Sequence, residues 1–398
     1  MRKDKKTEVL HTLIHSTYQM MASIVYGFGI YSLLERGYSS SLAGLCFSLV
    51  SLFSIIVTPI ISNYLDNTDK ITVFDVITVS GALIFCLYII NFFLDTKCLL
   101  LSIIFILANG IHVFLDSIVN SVSSKIATYG IDVSYTSARA IGSISYGVMC
   151  AVFGYISEKT SYLSVIIGGL IFSFFVFLLG FLINKHFKKI NTNDTKELEK
   201  EETISFKEFV KNNVLFFILC LFITGFFIGY TTVDNFMILV VENVGGTSKD
   251  MGYLLAYKAA LEGIAILVFP LILKKVKLET TLFISALGFV LKQAVISFAP
   301  NLAWLYIAQT FQMISFSFIT PGMIEFVNKY LKKREVIRGV SLFTLTVSIG
   351  STVSSVSAGL INDAYGVPAL NLFALIITVI SAIGFCFTLT VRNSHNSL

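Results

Sequence analysis

The sequence predicts an all-α membrane protein, with twelve transmembrane helices in two six-helix bundles and both termini cytoplasmic. Three observations predict it. Of the 398 residues, 55% are hydrophobic and only 13% charged, giving a mean hydropathy of +0.82, more apolar surface than a soluble domain can hide. Apolar runs of about 20 residues, each long enough to cross about 30 Å of hydrocarbon as a helix, recur from end to end. The connections between those runs alternate between rich and poor in Lys and Arg, as membrane orientation requires.

Taken in order, the spans of the first half cover residues 11–34, 40–63, 71–94, 98–121, 138–157 and 162–184. The first follows a basic start but is too long for a signal peptide and lacks a small-x-small cleavage site, so it reads as retained. A polar stretch at 185–213, rich in Lys, Asp, Glu, Asn and Thr, reads as a flexible cytoplasmic linker with little to bury. The second half continues with 214–241, 251–273, 281–298, 302–326, 339–361 and 368–391. The expected domains are therefore a bundle at 1–184, the linker at 185–213 and a second bundle at 214–398. Gly154-Tyr-Ile-Ser-Glu158 in span five is echoed by Gly359-Leu-Ile-Asn-Asp363 in span eleven, which fits a repeated six-span architecture with a site near the midplane.

Charge sets the orientation. With the N-terminus inside, twenty-two of the 29 Lys and Arg fall in the inner connections and termini, and four (Arg36, Lys97, Lys159 and Lys249) fall outside. The net charge of +5 therefore reports topology and contact with anionic membrane lipids rather than nucleic acid. The remaining three bases, Arg139, Lys258 and Lys292, lie inside apolar spans, as do Asp116, Asp234 and Glu262. An ionised side chain at a helix centre in hydrocarbon costs about 2.5–3.5 kcal/mol on insertion scales, so embedded charges mark a pathway or a site.

The spacing of these groups leaves a functional and a structural reading open for each. Lys258 and Glu262 are four apart on span eight, either an intrahelical pair or a transport element; Glu262 is deep enough to be a proton carrier. Asp234 and Lys292 form either a coupling pair or a strut between spans seven and nine. His112 and Asp116 share one face of span four, as a proton acceptor or as packing groups. His11, His15, Tyr18 and Gln19 make a polar stripe on span one, with His11 expected at the interface and Tyr18 and Gln19 lining a cavity. Asn91, Asn109 and Asn120 read as interhelical hydrogen bonds, Asp75 and Glu325 as interfacial, and Trp304 as an outer anchor. Gly27/Gly29, Gly168/Gly169 and the run from Ser348 to Ser357 are small-residue faces that let helices approach.

No cofactor or metal is expected. The six cysteines show no paired spacing, and no phosphate-binding Gly-x-x-x-x-Gly-Lys loop, His-Glu-x-x-His or Gly-x-Ser-x-Gly is present. These absences leave ATP-driven pumping and membrane hydrolysis through such motifs unsupported, and the chain reads as no enzyme.

Twelve spans, a central linker and the segment Ser137-Ala-Arg139-Ala-Ile-Gly142-Ser143-Ile-Ser-Tyr146-Gly147 resemble the major facilitator superfamily, in particular its lactose-permease-like proton symporters. The resemblance implies that Arg139 contacts a substrate hydroxyl or carboxyl and that Tyr146, seven residues on, offers a platform for a sugar ring, where the branch's best-known member carries Trp. It places Asp234 and Lys292 in a coupling network. Gln309 and Gln312 stand where that member has a basic residue and a His, and Ser315 where it has a carboxylate, so its proton carrier is missing. In the signature connection between spans two and three, Ser62 replaces Gly, Asp66 is kept, Asn67 replaces a base, and Lys70 supplies the positive charge; Asp66 and Lys70 are expected to lock helix ends.

The function these readings imply is secondary transport of a small polar solute, sugar-like or nucleoside-like, by alternating access and in symport with protons. Substrate would bridge Arg139, Asp116, Tyr146, Tyr18 and Gln19 to Asp234, Lys292, Gln309 and Gln312, with Glu262, Asp234, His112 or Asp116 carrying the proton. The expected setting is the multi-pass cytoplasmic membrane of a bacterium, as a monomer. A drug or metabolite exporter of the same superfamily is the first alternative, which three embedded bases disfavour by repelling cations. A non-transporting membrane sensor is the second, and the absence of an appended soluble domain weighs against it.

Overall fold

In the computed structural model, the described residues are 2–68, 70–188 and 205–395. The chain divides into two compact units, Met1–Glu199 and Lys200–Leu398. Among the described residues, ten helices are long and apolar enough to cross a membrane, the last of them covering Lys333–Val391. The chain is a multi-pass membrane protein, and large side chains such as Phe93, Leu99, Leu221 and Ile383 stay exposed on its helices, where lipid rather than water suits them.

The first unit opens with a two-residue strand, β1 (Arg2–Lys3), paired in parallel with β2 (Ile131–Asp132). Asp4 then caps α1 (Lys5–Ala22) by accepting from the Lys6 amide at 3.2 Å. A π-helical turn at Ser23–Gly27 follows, then α2 (Phe28–Leu34). The single helix expected over 11–34 is therefore interrupted, and a π turn of this kind is a common mark of a functional segment. Next come α3 (Ser40–Asp66), capped by Ser39, and α4 (Val73–Phe92), started by a capping box of Thr72 and Asp75. The unit is completed by α5 (Leu99–Thr128), α6 (Tyr135–Thr160) and α7 (Leu163–Phe187).

Within this unit α1 packs on α5, α6 and α7, while α4 lies against α5 and α7. The α4–α7 contact depends on Gly81, where an added Cβ would stand 2.4 Å from the Phe177 backbone nitrogen; small residues let helix backbones touch in a membrane, where no hydrophobic force draws helices together. Asp75, expected to be merely interfacial, is a structural hub. It completes the cap of α4, accepts from Asn184 Nδ2 at 2.5 Å and lies 3.6 Å from Lys188 Nζ.

The polar stretch expected as linker is partly helical. α7 runs through Lys185 and His186 to Phe187, and α8 (Phe206–Asn212) opens the second unit with Phe209 fully buried. The rest of that stretch, 189–204, lies outside the described residues.

The second unit continues with α9 (Val214–Asn235), α10 (Met237–Asn243), α11 (Ser248–Leu273), α12 (Leu278–Ser297) and α13 (Leu302–Thr310). A 3-10 turn at Phe311–Met313 and α14 (Phe316–Tyr330) follow, and α15 (Val336–His395) is divided by Gly366 with φ 77°. A positive φ of that size favours glycine, so Gly366 turns the chain where a connection between spans eleven and twelve is expected. The core is aromatic: Phe226 stacks on Phe289 at 5.0 Å and meets Phe385 edge-on at 5.5 Å. Across the α9–α15 contact, Ser354 hydrogen-bonds with Thr231 at 2.6 Å, and Asn235 Nδ2 donates to Ser355 Oγ at 2.9 Å. The small-residue run is therefore met by polar partners on α9.

Candidate functional site

Each unit holds its own cluster of embedded charges. In the first, α5 supplies Asp116 and Asn120 one turn apart, and α6 supplies Tyr135 and Arg139 one turn apart, so each pair shares a helix face. Asn120 joins them. Its Oδ1 accepts from Arg139 Nη1 and from the Tyr135 hydroxyl, both at 3.2 Å, while its Nδ2 donates to Asp116 Oδ2 at 3.1 Å. Arg139 Nη1 and Asp116 Oδ1 stand 3.8 Å apart, with 43% and 48% of their side chains exposed. The guanidinium is thus partly exposed, and a planar fork of this kind recognises carboxylate, hydroxyl or carbonyl oxygens.

Around this pair the sequence-predicted groups are distributed unevenly. Tyr18 is buried and stacks on His112 with ring centroids 4.5 Å apart. Gln19 lies half-buried against Gly142, where a Cβ would stand 3.0 Å from its Cγ, so this glycine lets α1 and α6 meet. Tyr146 sits half-buried two turns beyond Arg139 on α6. The His112–Asp116 pair does not form: both ring nitrogens of His112 lack a hydrogen-bond partner among the described residues, and Asp116 turns to Arg139 and Asn120 instead. His11, expected at the interface, is fully buried, because α1 begins at Lys5 and its early turns already pack on neighbouring helices.

The second cluster is closed. Lys258 on α11 contacts both carboxylate oxygens of Asp234 on α9, at 2.6 and 2.7 Å, and donates to the Tyr230 hydroxyl at 3.3 Å. Lys292 on α12 donates to Gln312 Oε1 at 2.7 Å and lies 4.6 Å above the Tyr230 ring, a cation–π contact. Gln312 Nε2 in turn donates to the Tyr230 hydroxyl at 3.2 Å and to Glu262 Oε2 at 3.1 Å. Two carboxylates and two ammonium groups therefore balance around one tyrosine and one glutamine, with Lys292 only 2% exposed.

This arrangement corrects the expected pairing. The partner of Asp234 is Lys258, and Lys292 binds Gln312 rather than Asp234. Gln312 reaches the network because the expected span ten is broken: it sits on the 3-10 turn, and Ser315 takes non-helical dihedrals (φ −85°, ψ −94°). Around the break, Ser285 Oγ donates at 2.8 Å to Ser315 O, which also accepts from the Ile319 amide at 3.0 Å, and Ser317 Oγ donates to Gln312 O at 2.9 Å. Irregular backbone at membrane depth is tolerated where protein satisfies it, and it commonly carries a site. Gln309 is buried nearby, with Oε1 unpartnered among the described residues.

Of the remaining expectations, Lys70 is exposed and Asp66 ends α3, its side chain lying outside what is described. Tyr230, Tyr135 and the bridging role of Asn120 are additions. Each is four residues from a singled-out charge, Tyr230 from Asp234, Tyr135 from Arg139 and Asn120 from Asp116, and that spacing was the available signal.

The profile of the family described as "MFS_1 like family" matches residues 16–375. A search of curated proteins by sequence finds no match. Among solved structures, the fold is similar to a mutant of the nucleoside transporter NupG, with a TM-score of 0.79 at 13% identity over 95% of this chain and 99% of that one. It is also similar to a bacterial homologue of the iron transporter ferroportin in an inward-facing state, TM-score 0.70, 14% identity, covering 98% of this chain and 100% of that one. A third similarity is to a bacterial homologue of the human lysosomal transporter Spinster, inward-facing and unoccupied, TM-score 0.69, 13% identity, covering 97% and 94%.

Proposed function

The chain belongs to the MFS_1 like family, and on that premise we propose that it moves a nucleoside-like solute across the cytoplasmic membrane by alternating access, in symport with protons. The observation that carries this reading is the half-open Arg139–Asp116 pair, held by Asn120 with Tyr135. A nucleoside presents hydroxyl and carbonyl oxygens for the guanidinium, hydroxyl donors for the carboxylate and a flat base for tyrosine rings. Tyr146 and Gln19 flank that pair within the first unit. A structural neighbour described as a nucleoside transporter favours this solute class over sugars.

In the same reading the chain has twelve spans and both ends inside. Counting the two arms of α15 on either side of Gly366 separately, and α1 with α2 as one interrupted span, brings the ten helices to twelve. The lactose-permease-like pattern supports Arg139 as the substrate contact. Glu262 is the preferred proton carrier, because among the described residues its hydrogen bond from Gln312 falls on one carboxylate oxygen and leaves the other to take the proton. Protonation of Glu262 would unbalance the four-charge cluster and so bias the arrangement of α9, α11 and α12.

The test is uptake of a labelled nucleoside and sugar panel into vesicles carrying the full chain, with and without an inward proton gradient. Gradient-driven nucleoside accumulation is expected. Extrusion of lipophilic cations, or no flux of any solute, would overturn the reading.

A further inference from the structure

We propose that His11 and His15 form a hydrated proton relay through the first unit, joining the Arg139–Asp116 pair to the Asp4–His186 pair at the start of α1. This rests on the proton-coupled reading above and gives the proton a path in the first unit that ends at Asp116, separate from the Glu262 carboxyl of the second. Thr7, His11 and His15 recur every four residues along one face of α1, and all three are fully buried. Neither ring nitrogen of either histidine has a hydrogen-bond partner among the described residues. An imidazole carries two hydrogen-bonding nitrogens, and buried polar atoms of this kind are satisfied by internal water when protein does not serve them.

Contacts flank the two rings at both ends, and water is what joins Thr7 to His11 in the relay. At the end nearest the chain start, Thr7 Oγ1 donates to Asp4 Oδ2 at 2.5 Å and lies 3.1 Å from His186 Nε2, which is itself 3.2 Å from Asp4. These last two side chains reach the surface, with 20% of His186 and 27% of Asp4 exposed. The His11 and His15 rings meet edge-on at 4.8 Å, and His15 meets Tyr135 edge-on at 5.7 Å. The Tyr135 hydroxyl then donates to Asn120, which is bonded to both Arg139 and Asp116.

At each step a water, hydroxyl or imidazole gains a proton on one lone pair as another N–H or O–H proton leaves, so nothing is consumed; the Asn120 amide positions Tyr135 and Asp116 but carries no proton, and water completes the step to the Asp116 carboxylate. Each ring takes the proton at one nitrogen and releases one from the other. The groups facing the path are Asp116 and Asn120 from α5, Arg139 and Tyr135 from α6, His186 from α7, and Asp4 ahead of α1.

Two measurements on the purified full chain test the relay. Hydroxyl-radical footprinting should oxidise His11 and His15 although solvent does not reach them; unlabelled rings would show a dry interior and overturn the proposal whatever the solute. In liposomes, His11→Gln and His15→Gln should retain uridine counterflow within about two-fold of wild type while uridine-driven proton uptake falls at least ten-fold. Proton uptake preserved in both variants would overturn the relay and leave coupled transport standing. Wild-type counterflow with no proton movement would overturn coupling and relay together.

Discussion

Arg139 and Asp116 in the first unit approach to 3.8 Å with nearly half of each side chain open, whereas Asp234 and Lys258 in the second close to 2.6 Å with the lysine buried. Both pairs cross between helices in a bundle built mainly from apolar side chains. An open pair contributes little to folding, because solvent screens it. A closed pair has lost its water, so each charge depends on its partner, and removing one leaves the other stranded. On the function proposed above, exposure therefore divides recognition, in the first unit, from the balance of charge in the second.

The largest expected effect comes from breaking the closed cluster. Asp234→Asn should destabilise the purified protein by about 3–5 kcal/mol, read as a lowered melting temperature in detergent, because it strands the Lys258 ammonium. Adding Lys258→Met to that variant should recover most of the loss. Failure of the double variant to recover would mean the pair is not the unit of stability. Arg139→Ala comes next, with a stability change of at most about 1 kcal/mol but a loss of uptake of ten-fold or more; a melting shift as large as that of Asp234→Asn would erase the contrast between the units.

A smaller effect is expected for Ser354→Ala, which removes the uncharged contact to Thr231 between α9 and α15. Interhelical hydrogen bonds in membranes average about 0.6 kcal/mol, so a melting shift matching that of Asp234→Asn would show that charge is not what distinguishes the closed cluster. The smallest effect is at Asp4. The Thr7 hydroxyl, then the His186 ring and the Lys6 amide, hold its carboxyl below the usual carboxylate range against a modest desolvation. A lowered value means that the anchoring is present above the unfolded pKa and is lost as pH falls through the folded one. Acid titration of wild type should therefore loosen the N-terminal end of α1, measured as faster amide exchange, and Asp4→Asn should abolish that pH dependence.

Hydropathy made the spans legible, since each apolar run must satisfy its own backbone as helix. The interruptions were not legible. Ser315 and Phe236 carry no proline or glycine signal; their bends follow from the neighbours that satisfy or displace the backbone, as Ser285 and Ser317 do around span ten. Spacing identified Arg139 with Tyr146, and Lys258 with Glu262, as sharing helix faces. Spacing does not tell which helices meet, so the expected partner of Asp234 is Lys292, whereas α11 brings Lys258 to it. His11 was placed at the interface by its distance from the chain start, whereas packing of α1 on its neighbours buries it.

The most direct test of the account is uridine uptake by Arg139→Ala beside wild type, in liposomes holding equal amounts of folded protein under an imposed proton gradient. The account predicts accumulation by wild type and at least a ten-fold loss in the variant at an unchanged melting temperature. Equal uptake by both would contradict it.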